Sequence, residues 1–351
     1  MTNARKILYG GLLALTAAML VLGVFFDKTI ADIMYQPENV VAQILEGVGF
    51  IPPFLFVSST FVVLFFLVKA EDPRRGLKKA LCGVAAALPY VVFGYMAAGY
   101  LLPAGLIWRA LVAVGVSAVL TPLNFLLFKS KSQDTLKRLC IFLIFASIVA
   151  VVSSVVVVNV LKYIWGRPRF YEMIEAEDFD LLAFTPWYKI NGFSLHGHHS
   201  FPSGHTCSAA NLLVLCALGE VFPDEDKTRK RAIAIFVGVY IIAMGYSRMV
   251  MGAHFLSDVA AGFFIGFLTY AVTRYVYFDK SRLVVDAIMR TNQAAEKEDD
   301  GFLHEPEGGE ELVEVDFLPE TEVKEEISFT ERVVIDSNEE DAGSKENKGL
   351  L

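Results

Sequence analysis

Eight stretches of about 20 mainly apolar residues recur along this chain, each long enough as a helix to cross a hydrocarbon layer about 30 Å thick. They lie near residues 7–26, 48–68, 80–102, 105–128, 139–163, 205–222, 232–250 and 255–278. A backbone in hydrocarbon must satisfy its own hydrogen bonds, and continuous runs of this length do so as helices. The expected fold class is therefore all-α: a polytopic membrane helical bundle of about eight transmembrane helices. The sixth run is the weakest, because residues 203–211 are small and polar and only 212–222 is continuously apolar. Arg5 and Lys6 precede the first run as they would in a signal peptide, but no small-residue cleavage site follows, so it is read as a span.

Charge gives these helices a direction. Residues 291–351 carry 20 acidic and 5 basic side chains, which leaves 19 acidic and 26 basic in the rest, so a basic, apolar body (net +7) precedes an acidic tail (net −15). This balance excludes a secreted disulfide scaffold, a coiled coil and a wholly disordered chain. With the N-terminus inside, 19 of the 26 basic residues fall on the cytoplasmic side, as the positive-inside rule demands. Seven remain on the outer side: Lys28, Arg109, Lys162, Arg167, Arg169, Lys189 and Arg248. An even number of spans returns the tail to the cytoplasm, and its many acidic residues and few aromatics predict disorder. Cys82, Cys140, Cys207 and Cys216 sit in apolar runs without metal-ligand spacing and read as small hydrophobes.

Three polar clusters fall on the outer side. Lys162 and Arg169, with Arg167 between, end the fifth run; seven apart on a helix, they would differ by about 20° in direction and face one site. Taken alone they read as interfacial anchors below Trp165. The second cluster, Pro202-Ser203-Gly204-His205, opens the sixth run. Ser203 is a good N-cap, Gly204 removes a side chain from an anion-binding helix entrance, and His205 adds a group that titrates near neutrality. The third is Ser247-Arg248, then His254, then Asp258. If helical, His254 and Asp258 share a face, so the carboxylate could take one imidazole proton and leave the other nitrogen nucleophilic. Arg248 adds a planar cation suited to phosphoryl oxygens, and ionisable groups within spans are functional by default.

Together these residues resemble the signature of the type 2 phosphatidic acid phosphatase superfamily: Lys, six residues, Arg-Pro; Pro-Ser-Gly-His; and Ser-Arg, five residues, His, three residues, Asp. The second and third parts match in full. Lys162 and Arg169 fit the first, with Phe170 where the family has Pro, while Arg167-Pro168 supplies that dipeptide at the wrong distance. Arg169 is preferred over Arg167 as the phosphate ligand. The resemblance implies a catalytic core of six spans, so two of the first four are additions. The implied organisation is 1–138, transmembrane helices including those additions; 139–278, the catalytic core with outer loop 164–204; 279–290, a basic juxtamembrane segment; and 291–351, the disordered tail.

The resemblance further implies a lipid phosphatase of the cytoplasmic membrane, multi-pass, with both termini cytoplasmic and an extracytoplasmic site. His254 would attack phosphorus to form a phosphohistidine, Asp258 would fix its tautomer, and His205 would protonate the leaving group and then activate water. Lys162, Arg169, Ser203, Gly204 and Arg248 would hold the phosphoryl oxygens, with no metal and no cofactor. The expected partners are a membrane lipid phosphate or diphosphate and the bilayer, no nucleic acid, and an unspecified cytoplasmic partner for the tail. A lipid phosphotransferase using the same pocket and an ion- or proton-coupled transporter are the alternatives. His196, His198 and His199 lack helical ligand spacing and are expected to wall the site instead of binding zinc.

Overall fold

The structure, a computed structural model, describes residues 3–101, 105–176, 183–194, 197–218 and 226–280. The acidic tail, all but two residues of the juxtamembrane segment, His196 and the end of the sixth run lie outside them.

Among the described residues every regular element is helical. In chain order they are α1 (Asn3–Met34), α2 (Val40–Val48), α3 (Ile51–Leu67), α4 (Arg75–Leu101), α5 (Leu106–Phe128) and α6 (Gln133–Ala150). A π-helical stretch, Val151–Val157, joins α6 to α7 (Val158–Trp165), and α8 (Phe170–Glu175) follows. Then come α9 (Gly204–Ala210) with a 3-10 extension (Asn211–Ala217), α10 (Lys227–Val250) and α11 (Leu256–Arg274).

Among the described residues seven helical stretches are long and apolar enough to cross a membrane, and the described part of the expected sixth run is the shorter apolar helix Gly204–Ala217. With seven α-helical residues at 1.5 Å and seven 3-10 residues at about 2.0 Å, this helix rises about 24 Å, and its opening turn is enclosed by protein. Two other boundaries moved. The first span continues past Phe26 to Met34, because Lys28 and Asp32 pair one turn apart at 2.9 Å and keep that turn helical. The second begins at Val40 and is broken at Gly49 and Phe50, where Asn39 caps α2 and Pro52 opens α3.

Lipid tails are as apolar as Leu, so burying Phe or Val between these helices gains little by transfer, and close packing and interhelical hydrogen bonds must supply the adhesion. Both are present. On α11, a Cβ at Gly262 would collide with the Ser203 carbonyl and one at Gly266 would meet Ala210 Cβ at 2.7 Å, so two small residues four apart let α9 lie against α11. Ser153 and Ser154 of the π-helical stretch hold the Asn211 amide at 2.7 Å each. Asn124 of α5 bridges Ser58 and Ser59 of α3 at 3.0 and 3.1 Å, and Ser58 donates to the Ala86 carbonyl of α4 at 2.7 Å. The α4–α5 hairpin is thus fastened to α3. Phe142, Phe145 and Val149 of α6 fill the centre against Leu212 and Phe267.

Successive spans alternate in direction. The ends of α1, α4, α7 and α10 and the starts of α3, α9 and α11 therefore gather at one end of the bundle, where all three sequence clusters lie.

Candidate active site

Gly166 sets the first cluster. It takes a left-handed conformation (φ 54°), caps α7 by donating to the Lys162 carbonyl, and leaves no room for a side chain, since a Cβ would sit 2.5 Å from the Gly192 carbonyl. The helix therefore stops at Trp165, so Lys162 and Arg169 do not share a helical face as the spacing suggested. Arg169 lies beyond the turn as the N-cap of α8, its N–H donating to Glu172 at 2.9 Å and its Nη1 to the Tyr171 hydroxyl at 2.7 Å.

Arg167 goes elsewhere. Its guanidinium is fully buried, with Nη2 2.9 Å from Asp27, Nη1 2.5 Å from Asp258 and 2.9 Å from Ser257 Oγ, and Nε donating to the Thr185 carbonyl at 2.9 Å. The Phe255 ring covers it at 4.2 Å. A guanidinium held by two carboxylates has little left for a further anion.

Ser203 caps α9 as expected, its Oγ accepting from Thr206 N at 3.3 Å, and its own N–H donates to the Asp258 carbonyl at 2.9 Å. That bond ties the start of α9 to the start of α11. Gly204 follows, with its Cβ position 3.8 Å from the Lys162 ammonium. His205 is buried, its Nε2 3.0 Å from the Glu46 carbonyl and its ring against Phe50 and Tyr100, with centroids 4.3 and 5.6 Å apart.

The third cluster departs from the expected helix. Phe255 is the N-cap of α11, so His254 precedes the helix and Asp258 is its third residue. Asp258 therefore spends Oδ2 on the Phe255 N–H at 2.8 Å and the Ser200 hydroxyl at 2.5 Å, and lies 3.8 Å from His254 Nδ1. Nδ1 instead donates to the Ser200 carbonyl at 2.6 Å. Carboxylate and imidazole are linked through Ser200, and this arrangement still leaves Nε2 with its lone pair. Burial, reinforced by the charges of Lys162 and Arg169 and opposed by Asp258, pushes His254 down to about 3, so the ring is neutral at physiological pH.

Lys162, Arg169 and Arg248 lie within electrostatic range of one another, and His205 is within range of His254, Arg248 and Lys162. All eight residues named from sequence converge on this end of the bundle. Arg248 gives Nη2 to Glu46 at 2.6 Å, but its Nε and Nη1, like Arg169 Nε, are buried with no partner among the described residues. Unpaired buried donors on cations are costly, and three at one place mark a site built for an anion.

Sequence reasoning missed Asp27, Glu46 and Ser200. Asp27 followed an apolar run that proved about two turns longer, and a carboxylate inside a span was the available signal. Ser200 sits in the loop between α8 and α9, pinned by its N–H, which donates to the Arg167 carbonyl at 2.9 Å. Of the loop histidines, His198 engages Glu172 at 3.1 Å and His199 the Ser194 carbonyl at 2.9 Å.

Residues 142–282 match the model of the PAP2 superfamily. Among curated proteins, the chain is 36% identical over 77 residues to phosphatidylglycerophosphatase B of Bacillus subtilis (strain 168), covering 21% of this chain and 37% of that protein. It is 34% identical over 128 residues to lipid A 1-phosphatase of Rhizobium etli, covering 36% and 47%. It is 32% identical over 150 residues to lipid phosphate phosphatase 1 of Arabidopsis thaliana, covering 39% and 46%. The matched stretches thus span less than half the length of these relatives. No solved structure matches the chain. The segment that carries Lys162, Arg169, Ser203, Gly204, His205, Arg248, His254 and Asp258 is a PAP2 superfamily domain.

Proposed function

We propose that this membrane protein hydrolyses a lipid phosphate or lipid diphosphate monoester without a metal, through a phosphohistidine on His254, at the outer face of the cytoplasmic membrane. The observation that carries the reading is the group of buried guanidinium N–H donors on Arg169 and Arg248 that have no partner among the described residues, beside two buried imidazoles. The three relatives are each named for removing phosphate from a lipid, which supports the same substrate class here.

In this scheme the Nε2 lone pair of His254 forms a bond to phosphorus as the bond from phosphorus to the lipid oxygen breaks, and His205 protonates the departing oxygen. Water, deprotonated by His205, then attacks phosphorus, breaks the phosphorus–nitrogen bond and releases inorganic phosphate. Lys162, Arg169, Arg248, Ser203 and the Gly204 amide neutralise the equatorial oxygens throughout, in the manner of a preorganised transition-state cradle. The rise in His254 charge on phosphorylation is balanced by Asp258 through Ser200.

The outer location is supported by the alternation of the helices. Lys69 and Arg74 between α3 and α4, Arg75, Lys78 and Lys79 in the first turns of α4, and Lys129 and Lys131 after α5 lie at the end opposite the site, and basic segments favour the cytoplasm. The test is phosphate release by purified protein from a panel of lipid phosphates, with and without EDTA. Wild type should release phosphate in both, and His254→Ala should fall to background while remaining folded. Wild-type activity in that variant would overturn the mechanism.

A further inference from the structure

An apolar groove of about 620 Å³ opens between three helices and ends at the phosphate site. It is lined from Phe50 to Phe61 along α3, from Ala85 to Met96 along α4, and from Val151 to Lys162 along the π-helical stretch and α7. Each lining stretch covers 11 helical steps, about 16 Å at 1.5 Å per residue. That is close to half of a hydrocarbon core about 30 Å thick, the depth of one leaflet.

The three stretches are in register. Phe50, Met96 and Lys162 stand at the site end; Phe61, Ala85 and Val151 stand at the far end. Lys162 is the one charged residue of the lining, and it shares the site end with Gly204, whose Cβ position is 3.8 Å from the ammonium. The phosphate cradle and the groove therefore share two residues, and a molecule whose phosphate is on Lys162 has its remaining body directed into an apolar channel one leaflet deep.

We infer that this groove binds a hydrocarbon tail of the phosphate substrate, and that the α4–α5 hairpin is a specificity element that sets how long a tail fits. The inference rests on the proposed lipid phosphate reading. The hairpin stands apart from the charged network: α1 supplies Asp27 and α2 supplies Glu46, whereas α4 brings only the Tyr100 ring against His205 and, with α5, is fastened to α3 through Ser58, Ser59 and Asn124. Without α4 the groove would lie open to lipid along one side. With it, the lining runs as far as Ala85, Phe61 and Val151, and tail length is read against that depth.

The test uses the full chain in detergent and a series of alkylphosphonates from butyl to octadecyl, which cannot be hydrolysed, with affinity measured by competition and by thermal shift. Wild type should bind more tightly as the chain lengthens until the groove is filled, then level off. Ala85→Trp, at the far end, should level off at a shorter chain; Val92→Trp, halfway up, should do so at a still shorter one and weaken octadecyl phosphonate about tenfold, about 1.4 kcal/mol. Butyl phosphonate should bind all three proteins alike, which separates a blocked groove from a misfolded protein. An identical length dependence in all three overturns the inference, as does affinity without length dependence in wild type. Length-dependent binding retained in a protein that releases no phosphate from any lipid would leave the groove standing and remove the hydrolase reading.

Discussion

Replacing Asp27 with Asn isolates the buried charge network from the phosphate cradle. The carboxylate receives Arg167 Nη2 at 2.9 Å, the Ser257 N–H at 3.0 Å and the Ser257 hydroxyl, all in a fully buried setting. An amide of the same shape has one accepting oxygen in place of two, and its NH2 must face a donor. Arg167 is then left with Asp258 as its one carboxylate. Breaking a buried ion pair costs about 3–5 kcal/mol, and the retained Asp258 contact places the expected loss near the lower end, about 3 kcal/mol. For a bundle of this size that is a fall of roughly 6–12 °C in the midpoint of thermal unfolding. Activity should fall as well, because Asp258 is drawn toward Arg167 and its bond to Ser200, the link to His254, is weakened. The assay is monodispersity after heating in detergent, run beside lipid phosphate hydrolysis. Asp32→Asn is the control: it lies on the same helix, about half exposed and paired with Lys28, where an ion pair contributes about 0–1 kcal/mol. Equal behaviour of the two variants in both measurements would refute the network's role.

Glu46→Gln removes the carboxylate that occupies Arg248 Nη2 at 2.6 Å and should strengthen inhibition by inorganic phosphate; unchanged or weaker inhibition counts against an anion site there. His254 lies far below its usual range, near 3, so it stays neutral as pH falls through 6 and cannot set the acid limb of kcat/KM. That limb should follow the second ionisation of the substrate, near pH 6, and should move down with a thiophosphate ester of lower pKa; a limb that stays in place assigns the titration to the protein instead. Arg169→Lys should raise KM several-fold with little change in thermal midpoint, and Arg167→Lys should do the reverse, because one guanidinium has a free buried donor and the other is held between two carboxylates.

The gathering of the eight residues was legible because they lie in short motifs whose local meaning survives folding. Ser203 reads as a cap and is one, and Lys162, His205, Arg248 and His254 fall at span ends on one side. Boundaries were less legible. Gly166 stops α7 four residues before the helical spacing of Lys162 and Arg169 would need, and the capping of Phe255 by Asp258 places His254 outside α11, so Ser200 enters between imidazole and carboxylate. Neither change is visible as periodicity, since both depend on a single residue's backbone geometry. Asp27 and Glu46 were hidden for another reason: they are 140 and 202 positions from the arginines they meet, and pattern along the chain carries no record of such distances.

The Asp27 contact also bears on how the bundle is assembled during synthesis. Arg167 is made 140 residues after Asp27, and Ser257 and Asp258 some 230 residues after it, so the earliest of these helices enters the bilayer with an uncompensated carboxylate. Asp27 lies seven residues, about two turns, before the helix ends at Met34. Insertion of the last helix then delivers Ser257 and Asp258 together, and the same event that completes the catalytic constellation latches the earliest segment of the chain to the latest.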